Sequence, residues 1–87
     1  MIEQLRLLKA LSDETRLKIV RFLLKGERCV CEIFPAVNRT QSTVSIQLGK
    51  LENWGILESR RRGKWVFYRI KEKRVYALLR ALRFGGN

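Results

Sequence analysis

Cys29 and Cys31 are the most reactive side chains in the sequence. As thiolates they are soft ligands and nucleophiles. Three readings of the pair stand side by side: a soft-ion or metalloid site, a redox switch, and inert packing thiols. On a regular helix, residues two apart point roughly 200° apart, so the two sulfurs could not hold one ion there. Binding would require the first turn to unwind, which Pro35 eases. A helix N-terminus and the neighbouring Arg28 would both lower the thiol pKa. The chain has no histidine, which removes the commonest metal ligand and general base. It also lacks a glycine-rich phosphate loop and an acid–base pair, so an enzyme is the weaker class and no cofactor is required.

A second group is electrostatic. Arg60, Arg61, Arg62 and Lys64 fall in one short stretch. Four cations so close repel one another unless an anion is near, and a phosphate backbone or a minor groove supplies one. Across the chain 19 Lys and Arg stand against 8 Asp and Glu, a net charge of +11. Solubility does not require so strong a bias. It points to an anionic partner, either nucleic acid or an acidic membrane surface. No apolar run approaches the ~20 residues that cross a bilayer. Met1-Ile2-Glu3-Gln4 lacks the basic head and long apolar stretch of a secretory signal. The expectation is a cytoplasmic protein with no membrane partner, its two cysteines thiols rather than a structural disulfide.

The elements that must position these groups fit one domain over residues 1–87. Residues 2–11 read as a helix, with Ile2, Leu5, Leu7, Leu8 and Leu11 covering more than one face, so two surfaces must bury it. Ser12 is placed to cap a second helix reaching Lys25, with Asp13 and Glu14 in its first turn and Gly26 at its end. Leu17, Val20 and Leu24 form its stripe, flanked by Ile19 and Leu23. A short third helix runs from about Val30 to Val37, limited by Pro35. Thr40 caps a fourth, reaching about Trp54 and closed by Gly55. Its core side is Val44, Leu48 and Leu51. Opposite lie Ser42, Ser45, Ile46, Gly49, Lys50 and Asn53, a face low in bulk that another surface can approach closely. A hairpin follows, Ile56 to Arg61 and Lys64 to Ile70, with Arg62-Gly63 as the turn. Trp65, Phe67, Tyr68 and Trp54 are assigned to packing. Lys71 to Phe84 is a last helix with the stripe Val75, Leu78, Leu79 and Leu82. The tail Gly85-Gly86-Asn87 is expected to fray.

The fold class is therefore mainly α with a small β-hairpin, in the order α-α-α-α-β-β-α. Two helices joined by a tight turn and followed by a basic hairpin make the winged helix-turn-helix plan. The B-DNA major groove admits one helix, which meets base edges near its N-terminal end. Gln41, Ser42, Thr43, Ser45, Ile46 and Lys50 lie on the fourth helix for that role. Gln and Ser can hydrogen-bond base edges, and Ile46 can pack on a thymine methyl. Arg60, Arg61, Arg62 and Lys64 supply phosphate contacts. Leu5, Leu8, Leu78, Leu79 and Leu82 exceed what one small core can bury, so they are assigned to a homodimer interface.

The stretch from Lys9 to Ile70 resembles the ArsR/SmtB family of metal- and metalloid-responsive repressors. The matching segments are Ala10-Leu11-Ser12-Asp13-Glu14-Thr15-Arg16, Glu27-Arg28-Cys29-Val30-Cys31-Glu32-Ile33, Thr40-Gln41-Ser42-Thr43-Val44-Ser45-Ile46-Gln47-Leu48, Leu51-Glu52-Asn53-Trp54-Gly55-Ile56-Leu57, and the wing. The resemblance implies a homodimer built from the first and last helices. It also implies recognition helices in successive major grooves of a double-stranded operator, and release when an inducer binds. Two departures matter. The zinc sensors of the family use acidic and His ligands on the last helix, where this chain has no His and one acid, Glu72. The arsenic-responsive members often carry a third Cys three residues after the Cys-Val-Cys segment, and Phe34 stands there. A three-sulfur site therefore cannot be completed, and arsenite, antimonite or another thiophilic ion is the candidate effector at Cys29 and Cys31 alone. A non-regulatory nucleoid or RNA-associated binder is the alternative that net charge alone fits equally well, and a thiol redox-responsive repressor is the other.

Overall fold

The computed structural model describes residues 2–82. The expected extension of the last helix to Phe84 and the Gly85-Gly86-Asn87 tail lie outside the described residues. Eight elements follow in order: α1 Gln4–Leu11, α2 Glu14–Phe22, β1 Arg28–Cys29, α3 Val30–Ala36, α4 Gln41–Asn53, β2 Leu57–Arg62, β3 Trp65–Ile70 and α5 Arg74–Ala81. A 3-10 turn, Leu23–Lys25, extends α2. This is a winged helix-turn-helix with one addition to the expected order: β1 pairs antiparallel with β3, so the wing is a three-stranded sheet in the order β1-β3-β2.

One core holds these elements together. Ile19, Val20 and Leu23 from α2 and its extension meet Ile33, Val44, Leu48 and Leu51 from α3 and α4. Leu7, Ala10 and Leu11 of α1, Ile56, Leu57 and Ile70 around the wing, and Val75 and Leu79 of α5 complete the same cluster. The expected α4 stripe is thus buried, whereas Leu17 and Leu24 of α2 are only partly so. Leu79 is a correction. It is 1% exposed in the single chain and belongs to the core, not to a dimer face, and Leu78 packs partly against the same core. The helical period places Val75, Leu78, Leu79 and Leu82 on one stripe, and of these the core takes in fully only the i, i+4 pair Val75 and Leu79.

The helix ends explain the other differences. Asp13, not Ser12, caps α2, its carboxylate accepting from the Arg16 N–H at 3.0 Å. Ser12 instead closes α1, its hydroxyl donating to the Lys9 carbonyl. Both residues are able caps, and the short α1–α2 connection leaves each helix end one of them. At the wing, Arg62 pairs with Trp65, so the turn is Gly63-Lys64 rather than Arg62-Gly63. Gly63 takes φ +63°, as the first position of a tight two-residue hairpin turn demands. The last helix starts at Arg74 rather than Lys71, because the Lys71 and Glu72 N–H groups both donate to the Ile56 carbonyl.

Glu72 ties this corner together. It accepts from Arg74 Nε at 2.8 Å and Nη2 at 2.9 Å, and from the Arg74 N–H. Arg74 Nη2 also donates to the Ile2 carbonyl, fastening the start of α5 to the entry of α1. The side-chain hydrogen bonds from Arg74 hold the Glu72 carboxyl at about 2, against an ordinary 4.5. A folded-state value below the unfolded one stabilises the fold above pH 4.5 and loses that stability as pH falls from 4.5 toward 2. Glu72→Gln should therefore be less stable than the parent at pH 7, by roughly 1–3 kcal/mol, with the gap closing near pH 2. Thermal melts across that range check it. A gap that stays constant with pH would assign the effect to packing.

Candidate nucleic-acid interface

α4 is held from the inside. Arg16 of α2 reaches across and donates from Nη1 to Gln47 Oε1 at 2.9 Å and from Nε to the Ala10 carbonyl at 2.7 Å. Its guanidinium also lies over the Trp54 ring, 5.2 Å from the centroid. One side chain thus joins the end of α1, the body of α2 and the inner edge of α4. The sequence offered no signal for this role beyond an arginine at the right helical turn. Thr40 caps α4 as expected, accepting from the Thr43 N–H, and its hydroxyl donates to Thr43 Oγ1. Thr43 is therefore half-buried and partly engaged by the cap.

The opposite face is free. Gln41, Ser42, Ser45, Ile46, Lys50 and Asn53 are exposed, and Ile46 is a large apolar group left 58% exposed. A Cβ built on Gly49 meets nothing within 4 Å. Glycine inside a helix is about 1 kcal/mol worse than alanine, and packing within the chain gives no reason for it here.

The wing stands beside this face. Ser59 of β2 donates to Glu52 of α4 at 2.7 Å, clamping the two elements. Arg61, Arg62 and Lys64 project exposed at the tip. Among the described residues, Arg61 and Arg62 form no ion pair. Arg60 Nε and Nη2 donate to the two Glu27 carboxylate oxygens at 2.9 and 2.7 Å, which also lowers the Glu27 carboxyl below its ordinary value. Arg60, expected among the phosphate contacts, is thus also engaged inside the wing, with its side chain 55% exposed. Trp65 is a correction. Assigned to packing, it is 48% exposed at the tip with the Lys64 ammonium 5.3 Å from its ring centroid. Phe67 and Tyr68 are half-buried, and Trp54 packs against the core.

The cysteines sit at the foot of the wing, and their geometry overturns the helical argument. Cys29 is not in α3. It is the N-cap, in extended conformation with ψ 145°, its Sγ accepting from the Cys31 N–H and its own N–H donating to Glu32 Oε1. This capping box turns Cys29 Sγ back onto residue 31. The two sulfurs face each other without any unwinding, and in the structure they are joined as a disulfide rather than left as thiols. Cys29 is buried and Cys31 exposed. Phe34, in the place of a third cysteine, packs against the core. Among the described residues, no group of three or more His, Cys, Asp or Glu side chains is placed to hold a metal ion. Nor is any described helix long and apolar enough to cross a membrane.

Comparison with known proteins agrees with this geometry. Residues 13–59 match the family described as bacterial regulatory protein, arsR family. The arsenical resistance operon repressor of Escherichia coli (strain K12) is 45% identical over 67 residues, which cover 76% of this chain and 57% of that protein. The chain thus spans little more than half the length of that relative. The biofilm growth-associated repressor of Xylella fastidiosa (strain Temecula1) is 42% identical over 80 residues, 92% of this chain and 70% of that protein. Among solved structures, the homodimeric winged helix-turn-helix DNA-binding domain Mb0332 from Mycobacterium bovis superposes with a TM-score of 0.79 at 35% identity, covering 91% of this chain and 73% of that one. Together the family match, the shared fold and the extent of the identities establish that this chain belongs to the arsR family of bacterial regulatory proteins.

Proposed function

We propose that the chain is a sequence-specific transcriptional repressor that binds double-stranded DNA as a homodimer and is released by a thiophilic ligand at Cys29 and Cys31. The outward face of α4 carries the DNA reading. It is uncharged and small except for Lys50 and Ile46, it holds no acid, and a cation-tipped hairpin stands next to it. Gln41, Ser42 and Ser45 suit base edges, Ile46 suits a thymine methyl, and Arg61, Arg62, Lys64 and Lys50 suit phosphates. Both protein relatives are repressors, which supports the regulatory part. The test is competition between the chain's own upstream DNA and bulk DNA. Arg61→Ala with Arg62→Ala should weaken binding to all sequences and reduce the slope of log K against log salt by about one per lost contact. Gln41→Ala or Ser42→Ala should change which sequences are preferred. Equal affinity for upstream and bulk DNA would replace this reading with a sequence-tolerant nucleic-acid binder.

The dimer surface is what α1 and the end of α5 leave uncovered. Leu5, Leu8 and Leu82 are 57%, 54% and 63% exposed, and the Arg74–Ile2 bond brings the start of α5 to the entry of α1. The homodimeric relative supports a second copy as the cover. Leu5→Glu with Leu8→Glu should leave the fold intact by circular dichroism, give a monomer in sedimentation, and weaken operator binding at least tenfold. A monomer that binds as tightly as the parent would exclude the dimer.

At the effector site, the reduced pair offers two facing sulfurs, one of them exposed. Arsenous acid would condense with both thiols, forming two As–S bonds and releasing two waters, and the retained hydroxide or a small thiol would be the third ligand. The closeness of the two sulfurs supports a second reading of the same pair, in which oxidation closes the site. Arsenite should lower operator affinity of the phosphine-reduced protein by a factor of about 5–150, the usual span of allosteric coupling. Cys29→Ser and Cys31→Ser should bind DNA and ignore arsenite. An unchanged affinity in arsenite, with a change on oxidation, would leave the redox reading alone standing.

A further inference from the structure

We infer that Glu27 is the positioning residue of the wing, tying it to the strand that carries Cys29, so that the bonding state of the two sulfurs reaches the wing as well as the recognition helix. This rests on the effector reading above only for its biological use, since the coupling itself is a property of the fold.

The geometry is a staple across a three-stranded sheet. Cys29 of β1 is opposite Phe67 of β3, and Phe67 is opposite Arg60 of β2. The three residues form one row. Glu27 lies just before β1 and reaches past β3 to grip Arg60 on the far strand, both carboxylate oxygens taking one donor each. Such a fork fixes the orientation of a guanidinium as well as its charge. Glu27 is the sheltered member, with its side chain 23% exposed against 55% for Arg60, so the carboxylate is the anchor and the arginine comes to it.

Neither affinity nor stability accounts for the pair. A carboxylate in the wing subtracts from its attraction for phosphate. An exposed ion pair adds only about 0–1 kcal/mol to a fold. What remains is position. The hold that β1 has on the sheet is short, two residues with Arg28 opposite Tyr68 and Cys29 opposite Phe67. Cys29 must keep its extended backbone for that pairing, and the same backbone places its Sγ against Cys31. One residue's conformation therefore serves both the sulfur pair and the edge of the wing. If opening or ligating the sulfurs shifts Cys29, β1 moves, and Glu27 carries Arg60 and β2 with it.

The experiment uses the full chain labelled with 5-fluorotryptophan. Its two tryptophans give two fluorine resonances, Trp65 reporting the wing tip and Trp54 the end of α4. Spectra are compared before and after reduction by a water-soluble phosphine. That reaction opens the S–S bond to two thiols while phosphine and water become phosphine oxide. In the parent, reduction should shift the Trp65 resonance. In Glu27→Gln and in Arg60→Gln, with folds unchanged by circular dichroism, that shift should fall at least twofold. The double variant should lose no more than either single one, as two ends of one contact require. In parallel, Glu27→Gln should steepen the salt dependence of bulk-DNA binding by about one phosphate contact, because Arg60 is freed. A Trp65 resonance that ignores reduction in the parent, or responds fully in both variants, would overturn the inference. Because Trp65 is read without DNA, a failure of operator binding would not be mistaken for a failure of the staple.

Discussion

Val44, Leu48 and Leu51 are almost wholly out of contact with solvent, and burying this stripe fixes the rotation of α4 about its own axis. Each such side chain gains about 1.5–3 kcal/mol on burial. Turning the helix by a single residue position would expose most of the stripe, a cost comparable to the 5–15 kcal/mol that holds a typical domain folded. The rest of the structure follows from that constraint. α2 supplies Ile19, Val20 and Leu23 to receive the stripe, and Arg16 locks the helix edge through Gln47. The Glu52–Ser59 bond then sets where the wing stands relative to a face already fixed.

That constraint was readable in the sequence, because an inward stripe repeats at the helical period whatever lies outside it. The outward face could then be written down by subtraction, and Gln41, Ser42, Ser45, Ile46 and Lys50 are where subtraction put them. What failed to show was anything set by pairing over long sequence distance. A two-residue strand such as Arg28–Cys29 has no period at all, and only its partner on β3 makes it a strand. The same blindness hid the true place of Cys29. The third helix is expected from about Val30, yet the angular argument treats Cys29 and Cys31 as two positions of one helix, and it misses the capping box with Glu32 that turns Cys29 back from just outside. Leu79 and Leu82 share a stripe in sequence, and only the end of the core separates a buried residue from one 63% exposed.

The acids show how a chain of charge +11 is organised. Of the eight, Asp13 caps α2, Glu14 pairs with Lys18, and Glu32 closes the α3 cap. Glu27, Glu58 and Glu72 each hold an arginine, and Glu52 takes the Ser59 hydroxyl. Only Glu3 has no such partner among the described residues. Negative charge is therefore used at element ends and sheet edges, where it orders the fold, and is kept away from the open side of α4 and the wing tip. The positive field left there is uncompensated beside a groove-sized helix, which is the arrangement the proposed DNA binding draws on.

The replacement of a third sulfur by Phe34 belongs to the same economy of space. α3 has only seven residues and contains Pro35, so it can hold its place against α4 only by packing, and Ile33 alone is fully buried along it. Phe34 adds apolar area exactly where a short helix lacks it, which a cysteine would do less well. The consequence for chemistry is that both sulfurs available to a ligand lie on one side of the first turn, one buried and one open. Under the proposed effector reading, a ligand held by these two sulfurs would need a further donor from solution. The same placement brings the two sulfurs close enough to close on each other.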